Sequence, residues 1–398
     1  MRVFDRRYEM MPRPQMEQLQ LERLQALLVR LKRNVRRYRE QIGDKQVESL
    51  EEITSLPFTT LDDMAESFPY GMFSLPLREV IRLHSTLGPK GTPLIIGHSQ
   101  NDLTHWGRLV ARQFVASGVT PNDVIQICLG GGSYRGGAGY VLGAELIEAS
   151  VIAEEPFHID YQLAMLQNYR PTMLITTPTD AKQLARTIAE RRLDPQSLHL
   201  RTLLLSRPVN EESRGHLEAG LMVKVQSSFG IEEVLNPGLC VECESGNFHV
   251  NEDQFLVETA NRELVITTLC REAMPLLRYR TGVACTLNRA KCPCGRTGIL
   301  LTPGERMDGR LLVRETPLYQ EQIHDVLSRS PMAGQPFSIE IQEQRIIVEV
   351  EISSQLFSDM IWGMEKMRSE IESSFLFRLG VNAEVRFSAP GKGENPLN

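Results

Sequence analysis

The sequence predicts an α/β protein with a large N-terminal domain followed by a small α+β C-terminal domain, and two features of its patterning carry that expectation. Between about residues 80 and 305 short apolar runs alternate with helix-like segments, and beyond Arg306 the pattern changes to strands around one long helix. Val124-Ile125-Gln126-Ile127-Cys128, Met173-Leu174-Ile175, Leu203-Leu204-Leu205 and Leu264-Val265-Ile266 are runs of strand length, and the segments near 101–118, 137–148, 180–192 and 211–219 are of helical length. Strand and helix in alternation make a layered α/β architecture.

In chain order, Arg2, Asp5, Arg6, Arg7 and Glu9 are followed by no leader-like apolar run, and no later stretch approaches the roughly 20 apolar residues of a membrane span. A cytoplasmic protein is expected. From Pro14 to about Tyr38, Met16, Leu19, Leu24, Leu27, Leu28, Leu31 and Val35 recur at three- and four-residue intervals, on one helical face. The other face carries Arg30, Lys32, Arg33, Arg36, Arg37 and Arg39. A solvated face near a helix C-terminus is the simpler reading of these cations, and a phosphate or carrier-protein contact is the other. Pro69, Pro76, Pro171, Pro178, Pro208, Pro237 and Pro275 then punctuate the α/β connections, with no internal repeat. Past Arg306, residues 337–341 and 346–352 read as strands, the second alternating Val348, Val350 and Ile352 with Glu349 and Glu351. A helix from about Leu356 to Phe377 and a strand near Val385 complete the module. Glycine at Asp308-Gly309 permits a hinge, so the domains are expected at 1–307 and 308–398.

With 398 residues, 41% hydrophobic and 24% charged, the chain can bury a substantial core. Its net charge of -6 is spread along the sequence, without the basic face that nucleic-acid binding requires. Of the seven cysteines, Cys128, Cys270 and Cys285 lie singly and the others fall in two close pairs, which suits metal ligation better than a disulfide framework.

Leu56-Pro57-Phe58-Thr59-Thr60, with Pro69-Tyr70-Gly71-Met72-Phe73 after it, resembles the opening of phenylacetate-CoA ligases. Thr267-Thr268-Leu269, Glu272-Ala273-Met274-Pro275-Leu276-Leu277-Arg278-Tyr279-Arg280-Thr281-Gly282 and Cys292-Pro293-Cys294-Gly295-Arg296-Thr297 resemble a long block of that family in the same order. The resemblance runs from about residue 9 into the C-terminal module and implies the fold of the adenylate-forming enzymes. It also implies their chemistry: ATP converts a carboxylic acid, often aromatic, into an acyl-adenylate, and a thiol such as that of coenzyme A then displaces AMP.

Residue by residue the resemblance is uneven. His84-Ser85-Thr86-Leu87-Gly88-Pro89-Lys90-Gly91-Thr92-Pro93 matches the family's phosphate loop, implying nucleotide contacts from Thr86, Gly88, Lys90 and Gly91. Such loops work through backbone N–H groups and hydroxyls. Leu87, Pro89 and Thr92 depart from the pattern, and Pro89 removes a backbone donor, so a simple turn is an equal reading. The run Leu129 to Gly139 matches the acyl-pocket segment, with Tyr134 as a wall and Gly136 and Gly137 admitting a flat acyl group; tight strand-to-helix packing is the alternative. A dinucleotide loop is disfavoured because no ribose-binding acid follows at the expected distance. Leu205-Ser206-Arg207-Pro208 lacks the glycine-rich adenine turn. In Ser228-Phe229-Gly230-Ile231-Glu232-Glu233, Gly230 and Glu233 match, Glu233 as a magnesium ligand, while Glu232 replaces a hydroxyl residue and should repel phosphate. Val283 stands where relatives carry an aspartate that accepts from both ribose hydroxyls, a loss on the order of 2–4 kcal/mol of nucleotide binding. Arg306 and Asp308 match the hinge motif, whereas Met307 and Gly309 do not. Lys392 is the candidate catalytic lysine, with a disordered tail residue as the competing reading.

In relatives a structural site of three cysteines and one histidine aligns with Cys243, His249, Cys292 and Cys294, implying bound zinc in a closed tetrahedron. Cys240 competes with His249 for the fourth position, and unmetallated buried thiols are the alternative. Three functions follow for test. The first is an ATP-dependent ligase joining a small carboxylic acid to a thiol. The second is an ATP-independent transferase moving an acyl group between coenzyme A and an acyl carrier protein. The third is a non-catalytic binding protein.

Overall fold

The computed structural model describes residues 2–89, 92–129, 137–152, 158–313, 316–341, 345–352 and 361–388. The chain divides into a large unit, residues 1–88 and 93–308, and a small one, residues 89–92 and 309–398. The large unit is built on a five-stranded parallel sheet in the order Ser150–Ile152, Val124–Cys128, Met173–Thr176, Thr202–Leu205, Lys224–Ser227. All four residues of Met173–Thr176 and of Thr202–Leu205 are buried, which is why those strands read as unbroken apolar runs rather than alternating ones. A six-stranded antiparallel sheet follows, in the order Phe255–Ala260, Glu263–Thr268, Tyr279–Asn288, Leu300–Arg306, Phe248–Val250, Cys240–Glu242. A separate hairpin pairs Arg82–Leu87 with Pro93–His98.

The helix Gln100–Ser117 is closed at both ends by local chemistry. Ser99 and Asp102 form a reciprocal capping box, and Gly118 ends the helix at φ 89. The Asp102 carboxylate also accepts from the backbone N–H groups of Glu272 and Ala273, at 2.7 and 2.9 Å, and so pins that segment to the helix start.

Near the N-terminus the structure departs from a single helix over 14–38. Helix Arg13–Asn34 stops at Val35, which is extended (φ -115, ψ 112) and 1% exposed, and a second helix runs Arg36–Ile42. Seating Val35 in the core outweighs helical continuity there. Several basic residues of this stretch are bonded within the chain: Arg37 to Asp63 and Glu66, Arg36 to Glu40, and Arg30 to the Arg271 carbonyl.

The small unit contains a three-stranded sheet in which Ile346–Glu351 pairs antiparallel with Phe337–Ile341 and parallel with Ala383–Ser388. A parallel neighbour requires a crossover, supplied by helix Ile361–Leu379. Val348, Val350 and Ile352 are buried while Glu349 and Glu351 are partly exposed, as their alternation predicts. No helix of the described residues is long and apolar enough to cross a membrane.

Candidate functional site

Two adjacent parallel strands, Val124–Cys128 and Met173–Thr176, lead their connections in opposite directions across the sheet, a switch point of the kind where open α/β sheets bind ligands beyond the strand C-termini. The glycine-rich run 129–139 leaves from the first of these strands. Tyr134 and Gly136 lie outside the described residues; Gly137 starts helix Ala138–Leu146. Gly139 packs so closely on Trp106 that a Cβ there would fall 2.3 Å from the indole nitrogen. Trp106 in turn donates to the Pro237 carbonyl at 2.7 Å. Tyr140 bonds the Ser228 hydroxyl, which also donates to the Leu205 carbonyl at 2.9 Å.

Residues 228–233 follow the C-terminal end of the outermost strand of that sheet. Gly230 is required by crowding, since a Cβ would lie 2.4 Å from the Leu235 carbonyl oxygen. Glu233 is 1% exposed, and its backbone carbonyl accepts from Arg271 at 3.1 Å. Glu232 reaches the hairpin: the buried Thr86 hydroxyl donates to its carboxylate at 2.8 Å. Gly88 is buried, Thr92 N–H donates to the Pro89 carbonyl at 3.2 Å, and Lys90 and Gly91 lie outside the described residues. Lys392 does too.

Val283 is 4% exposed and pairs across the sheet with Arg306. Arg306 grips Asp308 through two hydrogen bonds of 3.1 and 2.7 Å. Gly282, at φ 67, leaves no room for a side chain: a Cβ would lie 2.5 Å from the Asp308 carboxylate. A carboxylate therefore stands beside the Gly282-Val283 backbone, although position 283 does not supply it.

The structure gathers Cys243, His249, Cys292 and Cys294, all buried, with their ligand atoms within 4.8 Å of one another. Cys243 Sγ lies 3.7 Å from Cys292 Sγ, and Cys294 Sγ 3.3 Å from His249 Nε2. A tetrahedral zinc with bonds of about 2.3 Å to sulfur sets its sulfurs about 3.8 Å apart, so the donor set and its spacing fit that ion. His249 Nδ1 sits 3.2 Å from the Gly298 carbonyl, which makes Nδ1 the donor and turns the Nε2 lone pair toward the thiols. Burial lowers the His249 pKa to about 4 and raises that of Cys294 to about 12. Burial also opposes the Cys292 thiolate, but hydrogen bonds from Cys294, Asn247 and Cys243 outweigh it and hold its pKa below the usual value.

Strand parity decides between Cys240 and His249. Val241 pairs with His249, so Val241, Cys243 and His249 share one face of the hairpin and Cys240, opposite Val250, faces the other. Cys240 is buried in the main core instead, where its electrostatic neighbour is Cys285. Arg296 backs the centre: it donates to Glu9 at 2.8 Å and to the Arg2 carbonyl at 2.6 Å, and its positive charge lies beside Cys294.

No family model matches the chain. It is 31% identical over 96% of its length to the phenylacetate-coenzyme A ligase of Thermus thermophilus, of which the match covers 95%. To the phenylacetate-coenzyme A ligase of Pseudomonas putida it is 28% identical over 94%, covering 91% of that protein. Among solved structures, 2-hydroxyisobutyryl-CoA ligase in complex with 2-HIB-AMP and CoA superposes with a TM-score of 0.89 over 99% of this chain and 91% of that one. At 23% identity that likeness shows the fold.

Proposed function

Because the chain belongs to the phenylacetate-coenzyme A ligase family of adenylate-forming enzymes, we propose that it activates a small carboxylic acid with ATP and passes the acyl group to coenzyme A. In the first step a carboxylate oxygen attacks the α-phosphorus and pyrophosphate leaves. In the second the thiol sulfur attacks the acyl carbonyl, AMP leaves with the bonding pair, and the thiol proton is lost. The observation that carries this reading is the end-to-end match to curated ligases.

In this reading Thr86, Gly88, Lys90 and Gly91 meet the phosphates and Glu233 holds the magnesium ion. Gly230 keeps the backbone close to the nucleotide, and Arg306 and Asp308 border the ribose. Tyr134, Gly136 and Gly137 shape the acyl pocket, aromatic acids being the favoured class. Lys392 stabilises the charge that develops between carboxylate and α-phosphate, an electrostatic contribution worth several kcal/mol in a dry site. We assign zinc to Cys243, His249, Cys292 and Cys294 as a structural ion: four protein ligands leave no open position for substrate.

Two observations favour a second reading, ATP-independent acyl exchange between coenzyme A and an acyl carrier protein. Val283 offers no carboxylate to a ribose, and Glu232 occupies the Thr86 hydroxyl. Acid-dependent pyrophosphate exchange separates the two. The ligase should show exchange that drops by about two decades or more in Lys392→Ala. Acyl transfer from a coenzyme A thioester to a carrier protein without ATP, with no exchange for any acid, would overturn it.

A further inference from the structure

The cysteine and histidine cluster and the N-terminal segment are held by one loop. Residues 289–299 join strand Tyr279–Asn288 to strand Leu300–Arg306 and contain no helix or strand of their own. Such a segment keeps its place through what its backbone and side chains grip. Cys292 and Cys294 reach one way, into the buried cluster with Cys243 and His249. Arg296 and Thr297, just beyond them, reach the other way, to residues 2–11.

That second grip is dense. Arg296, 4% exposed, donates to the buried Glu9 carboxylate at 2.8 Å and to the Arg2 carbonyl at 2.6 Å. Thr297 donates its backbone N–H to the Glu9 carbonyl at 3.1 Å and its hydroxyl to the Met11 carbonyl at 2.8 Å. The other Glu9 oxygen accepts from the backbone N–H groups of Phe4 and Asp5, at 3.0 and 2.8 Å, so one carboxylate shapes the segment and ties it to the loop. The two grips also touch, because the Arg296 guanidinium bonds the Cys294 sulfur as well as Glu9.

The rest of the segment has weaker support. Helix Arg6–Glu9 has four residues, far below the length at which a helix holds itself together. Asp5 pairs with Arg108 at 3.0 Å, but that arginine is 47% exposed and solvent screens the pair. Tyr8 lies against the guanidinium groups of Arg23 and Arg112. We infer that the metal centre is the clasp of the N-terminal segment. Zinc on Cys243, His249, Cys292 and Cys294 fixes the loop and keeps residues 2–11 docked; when zinc leaves, loop and segment come free together while the parallel sheet stays folded. This rests on the zinc assignment and on no step of the ligase reaction. Coupling of binding equilibria is reciprocal, so undocking the segment must also weaken the hold on the metal.

The test uses the full chain, loaded with zinc alone and then stripped with a chelator. After stripping, peptides covering 2–11 and 292–299 should exchange amide hydrogen at least about tenfold faster, and trypsin should cut after Arg6 or Arg7. Exchange in Met173–Thr176 and Thr202–Leu205 should not change, and returning zinc should restore the slow rates. In the reverse direction, competition with a chelator of known affinity should show zinc held at least about fivefold more weakly in Glu9→Gln. Thr297→Val, which removes only the hydroxyl donor to Met11, should shift the affinity the same way and serves if Glu9→Gln does not fold. Arg36→Gln breaks an exposed pair with Glu40 and should leave zinc affinity unchanged. Removable zinc with unaltered exchange at 2–11, or full zinc affinity in both folded variants, would overturn the clasp and leave the zinc assignment standing. Loosening that spreads at once to the parallel sheet would overturn it too, since the metal would then be holding the whole unit. A chain that takes up no zinc from solution would remove the assignment and the clasp together.

Discussion

Replacing Glu232 by glutamine should tighten ATP binding by about tenfold. Thr86 Oγ1 donates to the Glu232 carboxylate at 2.8 Å, so a phosphate oxygen that takes over that hydroxyl comes to about 5 Å from a negative charge. Unit charges at that separation interact by roughly 3 kcal/mol at an effective dielectric constant near 20. Glu232 is partly exposed, and solvent screening reduces this to about 1–2 kcal/mol, or about one decade of affinity. Glutamine keeps the size and an acceptor for Thr86 while removing the charge. Calorimetric titration with ATP, with and without magnesium, measures the change, and the gain should be larger without magnesium because the cation masks part of the repulsion. Unchanged affinity in Glu232→Gln would refute the repulsion argument. A loss confined to the magnesium-containing titration would refute it too, and would make Glu232 a cation ligand.

Other expectations are equally direct. Val283→Asp should tighten ATP by at least tenfold by restoring a ribose acceptor, measured the same way; no gain would mean that Asp308 or another group already fills that role. Protein purified without added metal should carry one zinc per chain, and Cys292→Ser should lose both the metal and several degrees of thermal stability. Less than about a tenth of an equivalent, with an unshifted midpoint in the variant, would defeat the assignment. Glu9→Gln breaks the buried pair with Arg296 and should cost about 3–5 kcal/mol in urea unfolding, and a cost below about 1 kcal/mol would show that the pair is not holding the N-terminal segment. Asp253 is buried against Arg112, and although burial alone opposes its charge, that guanidinium draws its pKa below the usual carboxylate value. Its stabilising contribution is therefore complete above the unfolded pKa near 3.8 and is lost as pH falls further. Asp253→Asn should flatten that part of the stability curve.

Much of the fold was legible because buried parallel strands write themselves as unbroken apolar runs, as at Met173–Thr176 and Thr202–Leu205. Helix Ile159–Tyr169 was not read. Its C-cap is Arg170 in a left-handed conformation (φ 48), where sequence reasoning looks for glycine. The break at Val35 was equally hidden, since good helix formers continue on both sides and only tertiary packing chooses the kink. The candidate set Cys243, His249, Cys292 and Cys294 came from the family resemblance, and the strand register puts His249, not Cys240, on the face of Cys243.

The way the N-terminal segment is fastened bears on how the chain is made. Glu9, Met11 and Arg13 bond Arg296, Thr297 and Glu252, and Gln20 and Arg23 of the first long helix bond residues 252–255. At about 5–20 residues per second, a ribosome needs roughly 15–60 s to deliver those partners after the helix has emerged. Through that interval Leu24, Leu27, Leu28 and Leu31 share a cluster only with near neighbours such as Tyr38, Ile42 and Ile53, and the cover from the later strands is still missing. The packing of this helix is thus begun early by its sequence neighbours and completed only late in synthesis.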